Sequence, residues 1–138
     1  MKYWYTCTSD VTYNGNNILS VLYTLDFFRG GGRTTTEYTG EVFDLETGGR
    51  LSLRDLFDRD DDSLLAIIKE QITSFVRNWD GDGPDDYTAS VIAGYTLDNL
   101  EFYIATSGEL TICIPRYELL PAQAGAPQIP CGLYIGRD

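Results

Sequence analysis

Histidine is absent from this 138-residue chain, and that absence removes more chemistry than any other feature of the composition. Without an imidazole there is no Ser-His-Asp or Cys-His relay and no His-rich metal site. Cysteine is scarce: Cys7, Cys113 and Cys131 are too few for a disulfide framework and lack zinc-finger spacing. No apolar run approaches the roughly 18 residues that a membrane span requires, so no segment reads as a transmembrane helix. The start, Met1-Lys2-Tyr3-Trp4-Tyr5, alternates like a strand and lacks the apolar core of a signal peptide. Either the protein is cytoplasmic, or it is exported and held at the envelope by sequence outside this chain. Positive charge is short as well. Ten Lys and Arg against 21 Asp and Glu leave a formal charge of -11, a field that repels phosphate backbones and anionic lipid and disfavours nucleic-acid binding. A cationic partner is attracted by the same field, although acidity also serves simply to keep a domain dispersed. No Gly-x-x-x-x-Gly-Lys loop and no Gly-x-Ser-x-Gly elbow occurs. The run Gly30-Gly-Gly32 leads into no convincing helix, so it reads as a bend and not as a phosphate cradle.

With 43% apolar residues, the chain has enough core-forming side chains for one globular domain spanning residues 1–138. Residues 3–12 and 18–28 read as two strands around the turn former Tyr13-Asn-Gly-Asn-Asn17, with Leu19, Val21, Tyr23 and Leu25 on one face. Residues 34–38 and 41–45 favour β structure. The segment Phe43-Asp-Leu-Glu-Thr-Gly-Gly-Arg-Leu-Ser-Leu-Arg-Asp-Leu-Phe57 alternates into and out of Thr47-Gly-Gly49 as a hairpin does, and Ser52-Leu-Arg-Asp55 then has the form of a helix-capping box. Acid at residues 58–62 precedes Leu64, Leu65, Ile68, Ile72, Phe75, Val76 and Trp79 at helical spacing, which predicts one long amphipathic helix covering a sheet. Residues 87–99 suit either a short strand or a connection. Residues 100–106 and 109–114 form a further hairpin, Pro115 to Pro121 interrupts, and residues 128–135 return as a last strand. The expected class is α+β, mainly antiparallel sheet with one long amphipathic helix packed on it.

Chemistry-bearing residues are few. Asn78, Asp80, Asp82 and Asp86 stand at the first, third, fifth and ninth positions of a calcium loop, with Gly83 at the sixth. Ala89 then occupies the twelfth, where a bidentate glutamate should close the sphere. A solvated acidic loop is the plainer reading, and no metal or cofactor is expected. Carboxylate pairs for glycoside chemistry can be drawn from Asp80, Asp82, Asp85, Asp86 or Glu118 only arbitrarily. Ten tyrosines and two tryptophans among acidic groups suit either a recognition surface or ordinary sheet packing. Cys113, among Leu110, Ile112 and Ile114, reads as a buried thiol. If the protein is exported, Cys7 and Cys131, near the two ends, are the expected disulfide pair.

The order of these pieces resembles the C-terminal extracytoplasmic domain of RsiV-type anti-sigma factors, a domain also found in some peptidoglycan deacetylases and in many bacterial envelope proteins. Ile18-Leu-Ser-Val-Leu-Tyr23 resembles one of that family's strands, Arg29-Gly-Gly-Gly32 its glycine bend, and residues 43–57 its signature hairpin. The helix from Ser63 follows, and Pro115-Arg-Tyr-Glu-Leu-Leu-Pro-Ala-Gln-Ala-Gly125 resembles the family's Tyr-Glu segment. Arg33 and a threonine run stand where the family commonly has a histidine. The resemblance implies a non-enzymatic extracytoplasmic binding or sensor domain of the bacterial cell envelope that recognises a cationic protein such as lysozyme. Alternatives are an accessory domain of a cell-wall (peptidoglycan) enzyme, or a calcium-stabilised carbohydrate-active domain. The residues expected to contact a partner, protein or cell-wall component, are Pro115, Tyr117 and Glu118 with the loop at 30–36, which holds Arg33 and Thr34.

Overall fold

The computed structural model describes residues 4–28, 34–80, 86–114 and 126–135. Strands β1 (Trp4–Gly15) and β2 (Ile18–Phe28) pair antiparallel. Only Asn16 and Asn17 reverse the chain, at φ of 51° and 63°, a left-handed pair that asparagine tolerates and that matches the twist of the strands it joins. The first strand therefore runs three residues beyond its expected end. Strand β3 (Thr34–Asp44) pairs with β2 along its whole length, from Phe28 opposite Thr34 to Ile18 opposite Asp44. The two β-favouring pieces expected here are one strand, continuous through Gly40.

After Asp44 the chain turns through Gly48, whose φ of 76° requires glycine. Asp44 N–H donates to Gly49 O (2.9 Å) and Leu51 N–H to Val42 O (2.7 Å). The expected hairpin is thus cut down to a single bridge between Phe43 and Arg50, because Ser52 starts a helix two residues later. Ser52 N–H and its hydroxyl both donate to Asp55 Oδ2 at 2.9 Å, the returning half of a capping box, and α1 (Leu53–Leu56) follows. The long helix α2 (Asp61–Asp80) opens on Asp61 and Asp62, with Ser63 N–H donating to Asp60 Oδ2 (3.2 Å). Its Leu64, Ile68, Ile72 and Val76, one every four residues, are fully buried. Trp79 continues the stripe in sequence but is 44% exposed, so the covered face ends before it.

Asp86, expected to end a loop, and residues 87–93, expected as strand or connection, form helix α3 (Asp86–Ala93). Its β-branched residues pointed to a strand, but Thr88 and Ile92, four residues apart, are buried on one face, and burial of that face overrides local propensity. Strands β4 (Glu101–Ile104) and β5 (Glu109–Cys113) form the expected hairpin through Gly108, at φ 90°, and β6 (Gln128–Tyr134) pairs with β5.

The class is α+β with two antiparallel sheets, β1-β2-β3 and β4-β5-β6. Helix α2 covers the second. Its stripe forms one apolar cluster with Ile104, Leu110, Ile112, Ile129, Cys131 and Leu133. Each such side chain stabilises by about 1.5–3 kcal/mol relative to exposure. The first sheet joins this core only near its hairpin end, through the fully buried Ser20 and Val42 and through Gly40. Ser20 Oγ accepts the Ile104 N–H (2.8 Å), which satisfies a donor on the outer edge of β4. Among the described residues no helix is long and apolar enough to cross a membrane.

Candidate functional site

Of the residues expected to contact a partner, Arg33, Pro115, Tyr117 and Glu118 lie outside the described residues. Thr34 opens β3 opposite Phe28, at the end of the first sheet farthest from the core. Asn78 and Asp80 belong to the last turn of α2 and Asp86 to the first turn of α3, while Asp82 lies outside the described residues. Among the described residues no group of three or more carboxylates and thiols is placed to hold a metal ion. All three cysteines are free thiols, so the expected Cys7–Cys131 pair is not formed. Cys7 stands exposed on β1, whereas Cys131 is 2% exposed, within the cluster under α2, and donates to Ile129 O. Nearness to the two chain ends is no measure of nearness across two sheets. Cys113 is buried, as its apolar neighbours predict.

Two surfaces offer recognition chemistry. The first is an open cleft of about 320 Å³ between residues 50–53 and residues 97–102, edged by Arg50, Ser52, Asp98 and Glu101 over Leu53 and Leu100. Its charges are already engaged. Arg54 donates to Asp61 (2.8 Å) and, through both terminal nitrogens, to Asp98 (2.6 and 3.3 Å), and Arg50 lies 3.8 Å from Glu41. Arg54 holds the Asp98 carboxyl below its usual range.

The second surface is the far end of the first sheet. No described side chain of β1 from Tyr5 to Val11, of β2 from Val21 to Phe27 or of β3 from Thr35 to Thr39 is buried. One face carries Tyr5, Cys7, Ser9 and Val11 beside Phe27, Leu25, Tyr23 and Val21. Tyr5 stacks on Phe27 with ring centroids 5.7 Å apart, and Tyr5 and Val11 are 62% and 61% exposed. The opposite face carries Thr6, Thr8 and Asp10 beside Asp26, Thr24 and Leu22, with Thr36 Oγ1 donating to Asp26 Oδ1 (2.6 Å). Across the three strands the ionisable acids are Asp10, Asp26, Glu37, Glu41 and Asp44, and no Lys or Arg occurs in them. The cations nearest in sequence, Lys2, Arg29 and Arg33, lie outside the described residues. Among the described residues this sheet end carries Asp10, Asp26 and Glu37 beside exposed aromatic and aliphatic side chains, a combination that periodicity alone did not reveal. Alternation showed the apolar row of β2 but not that the core takes the other face, through Ser20.

Every resolved shift among the described residues moves a group away from neutrality. Hydrogen bonds from Ser52 lower Asp55 and those from Ser63 lower Asp60. Burial pushes the Cys113 and Cys131 thiols up to about 12. A hydrogen bond to Glu41 raises Tyr23, and burial raises Tyr103. Catalytic acids and bases need the opposite adjustment.

No family model matches the sequence, and no curated protein matches it. Among solved structures, the chain is similar to a DUF3298 family protein from Pseudomonas aeruginosa PAO1, with a TM-score of 0.67 and 13% identity over 94% of this chain and 58% of that one. It is also similar to a DUF3298 member from Bacteroides fragilis NCTC 9343, with a TM-score of 0.65 and 20% identity over 93% and 50%. The chain shares its fold with DUF3298 proteins. It spans between half and three fifths of their length, so the likeness speaks to the fold and not to what those longer proteins do. DUF3298 designates domains of unknown function.

Proposed function

We propose that this chain is a non-enzymatic binding or sensor domain of the bacterial cell envelope, placed outside the cytoplasm, and that its partner is a cationic protein such as lysozyme. The observation that carries the reading is the open end of the first sheet, where exposed aromatic and aliphatic side chains sit among carboxylates with no cation in the strands. Such a surface attracts a basic partner over a distance and offers apolar area on contact. The DUF3298 fold, which is related to the RsiV C-terminal domain, supports the resemblance carried by residues 43–57, and the direction of the pKa shifts supports a role without catalysis. On this reading Arg33, Thr34, Pro115, Tyr117 and Glu118 are the proposed contact residues, chosen because tyrosine offers large contact area and loops beside a sheet are free to face a partner.

Isothermal calorimetry against hen-type lysozyme, at about 20 mM and about 150 mM salt, tests this. The expected result is measurable heat with an affinity that falls as salt rises, because the steering charges are exposed and screened. Absence of heat at both salts with a folded sample would remove lysozyme as the partner. Binding to purified peptidoglycan in its place would favour an accessory role beside a cell-wall enzyme.

A further inference from the structure

Among the described residues no strand pairs with the outer edge of β1, and the backbone phase of that edge follows from the ladder. Leu45 N–H donates to Asn17 O (3.0 Å), which makes 17 and 45 a hydrogen-bonded pair. Antiparallel strands alternate such pairs, so the odd residues of β2 bond to β3 and its even residues bond to β1. The β1 residues opposite those even positions are Thr6, Thr8 and Asp10. The backbone N–H and C=O groups of Tyr5, Cys7, Ser9 and Val11 therefore point away from β2, and residues 5–11 are all exposed.

Long edge strands of this kind are usually guarded by proline, lysine, a bulge or a covering segment. Between Trp4 and Val11 there is no proline and no Lys or Arg, and the register shift of β1 comes only after Val11. Resting on the proposed binding role, we propose that this edge is the docking element itself, and that it takes up an extended segment of the cationic partner as a fourth strand. Residues of an added strand alternate between faces. One row would lie beside Tyr5, Cys7 and Val11, against Phe27 and Leu25, and so is apolar. The other would lie beside Thr6, Thr8 and Asp10, near Asp26, and so is basic. The segment that fits alternates apolar residues with Lys or Arg. A second copy of this chain fits poorly, because it would bring another Asp10 and another net charge of -11 to the same edge.

The test uses hen-type lysozyme and, as a minimal probe, a decapeptide of alternating Val and Lys. Amide hydrogen exchange is followed by NMR on the intact chain and on Ser9→Pro. Proline at Ser9 removes an outward N–H and no ladder bond, which edge strands tolerate. The expected result is slowed exchange at Tyr5, Cys7, Ser9 and Val11 on adding the peptide. Ser9→Pro should bind about tenfold or more weakly, the loss of one pairing hydrogen bond plus obstruction by the ring. Should Ser9→Pro fail to fold, the exchange pattern of the unsubstituted chain decides alone. Binding of either probe with those four amides exchanging as in the free protein overturns the edge as the site while leaving the binding role intact. Protection that rises with protein concentration and without probe overturns the choice of occupant, which would then be a second copy. Absence of binding by both probes removes the proposal and the lysozyme reading together.

Discussion

Gly40 of the first sheet lies directly against Phe102 and Tyr103 of the second, and replacing it with alanine measures how much of the fold depends on that approach. A Cβ built there would lie far inside van der Waals contact distance of Phe102 O, with Tyr103 Cβ 2.8 Å and the Phe102 carbonyl carbon 2.9 Å away. The obstructing atoms are mostly backbone, so no rotamer change relieves the clash. Strand β4 would have to move away from β3 by about 1.4 Å to restore ordinary contact with Phe102 O at ~3.5 Å. The Ser20 Oγ bond to Ile104 N–H, 2.8 Å long, is positioned to be stretched out of hydrogen-bonding range by that shift. Overpacking costs about 1–3 kcal/mol, and a buried N–H left without a partner costs a similar ~1–3 kcal/mol. Gly40→Ala should therefore lose about 2–6 kcal/mol, a large part of the roughly 5–15 kcal/mol that holds a domain folded. Urea unfolding followed by tryptophan fluorescence and by circular dichroism reads the change. Gly94→Ala is the control, since a Cβ there meets only Val91 O and Ser90 O at 3.5 and 3.7 Å. It should be neutral or gain up to about 1 kcal/mol through a stiffer unfolded chain. Equal midpoints for Gly40→Ala and the unsubstituted protein would refute the argument that the sheets are locked at this point.

Ser20→Ala removes the hydroxyl that accepts the Ile104 N–H and should lower stability by about 1–3 kcal/mol in the same urea assay; an unchanged midpoint would mean that another acceptor takes its place. Under native conditions a disulfide-exchange reagent should titrate Cys7 rapidly and leave Cys113 and Cys131 unreacted, since both are buried and raised to about 12. Denaturation should then release the remaining two thiols, and fast reaction of more than one thiol in the folded protein would contradict the placement of Cys131. Asp55, Asp60 and Asp98 sit below their usual range in the folded state, so the stability they contribute is present above about pH 4 and drains away as pH falls through their folded values. The urea midpoint should hold from pH 7 to 5 and drop toward pH 2.5, by a modest amount because these groups are exposed and screened; a midpoint that rises on acidification would contradict the sign.

What could be read from the sequence was local. The Asn16-Asn17 reversal, the Ser52 to Asp55 box and the four-residue period of Leu64, Ile68, Ile72 and Val76 are each written within a few consecutive residues, and each formed. Helix α3 was obscured because Val91 and Ile92 favour strands by propensity, while the helix is settled by the burial of Thr88 and Ile92 on one face, which only the assembled fold decides. The hairpin at residues 43–57 shrank to one bridge for a related reason: alternation of Leu51 and Leu53 suits a strand, yet Leu53 is also the first residue of a capped helix. The contacts that set the architecture were least legible. Ser20 meets Ile104 across 84 residues of chain, and nothing around a serine in an apolar strand announces that its hydroxyl will satisfy another strand's edge. The exposed end of the first sheet shows the same limit. Its composition was visible, but its exposure depends on which face of β2 the core accepts.

The fold separates the residues that hold it together from those that remain available to a partner. The apolar cluster is built from the three helices, the connection after α3 and the strands of the second sheet, with the first sheet contributing Val42 and the partly buried Tyr13 and Ile18. The remainder of that sheet is held by its own ladder and by cross-strand pairs such as Tyr5 with Phe27, each worth about 0.2–1 kcal/mol. Backbone hydrogen bonds without a covering core open at lower free energy than the global transition. The far ends of β1, β2 and β3 are therefore the part of the molecule that can take on new contacts without first giving up old ones. An edge that gains a strand from a partner recovers the pairing its outer groups lack, and the stability of the sheet end rises with occupancy by mass action. Binding and local order are then one equilibrium, measured at Tyr5 to Val11. The core under α2, anchored by Ile68 and Ile112, remains nearly indifferent to it.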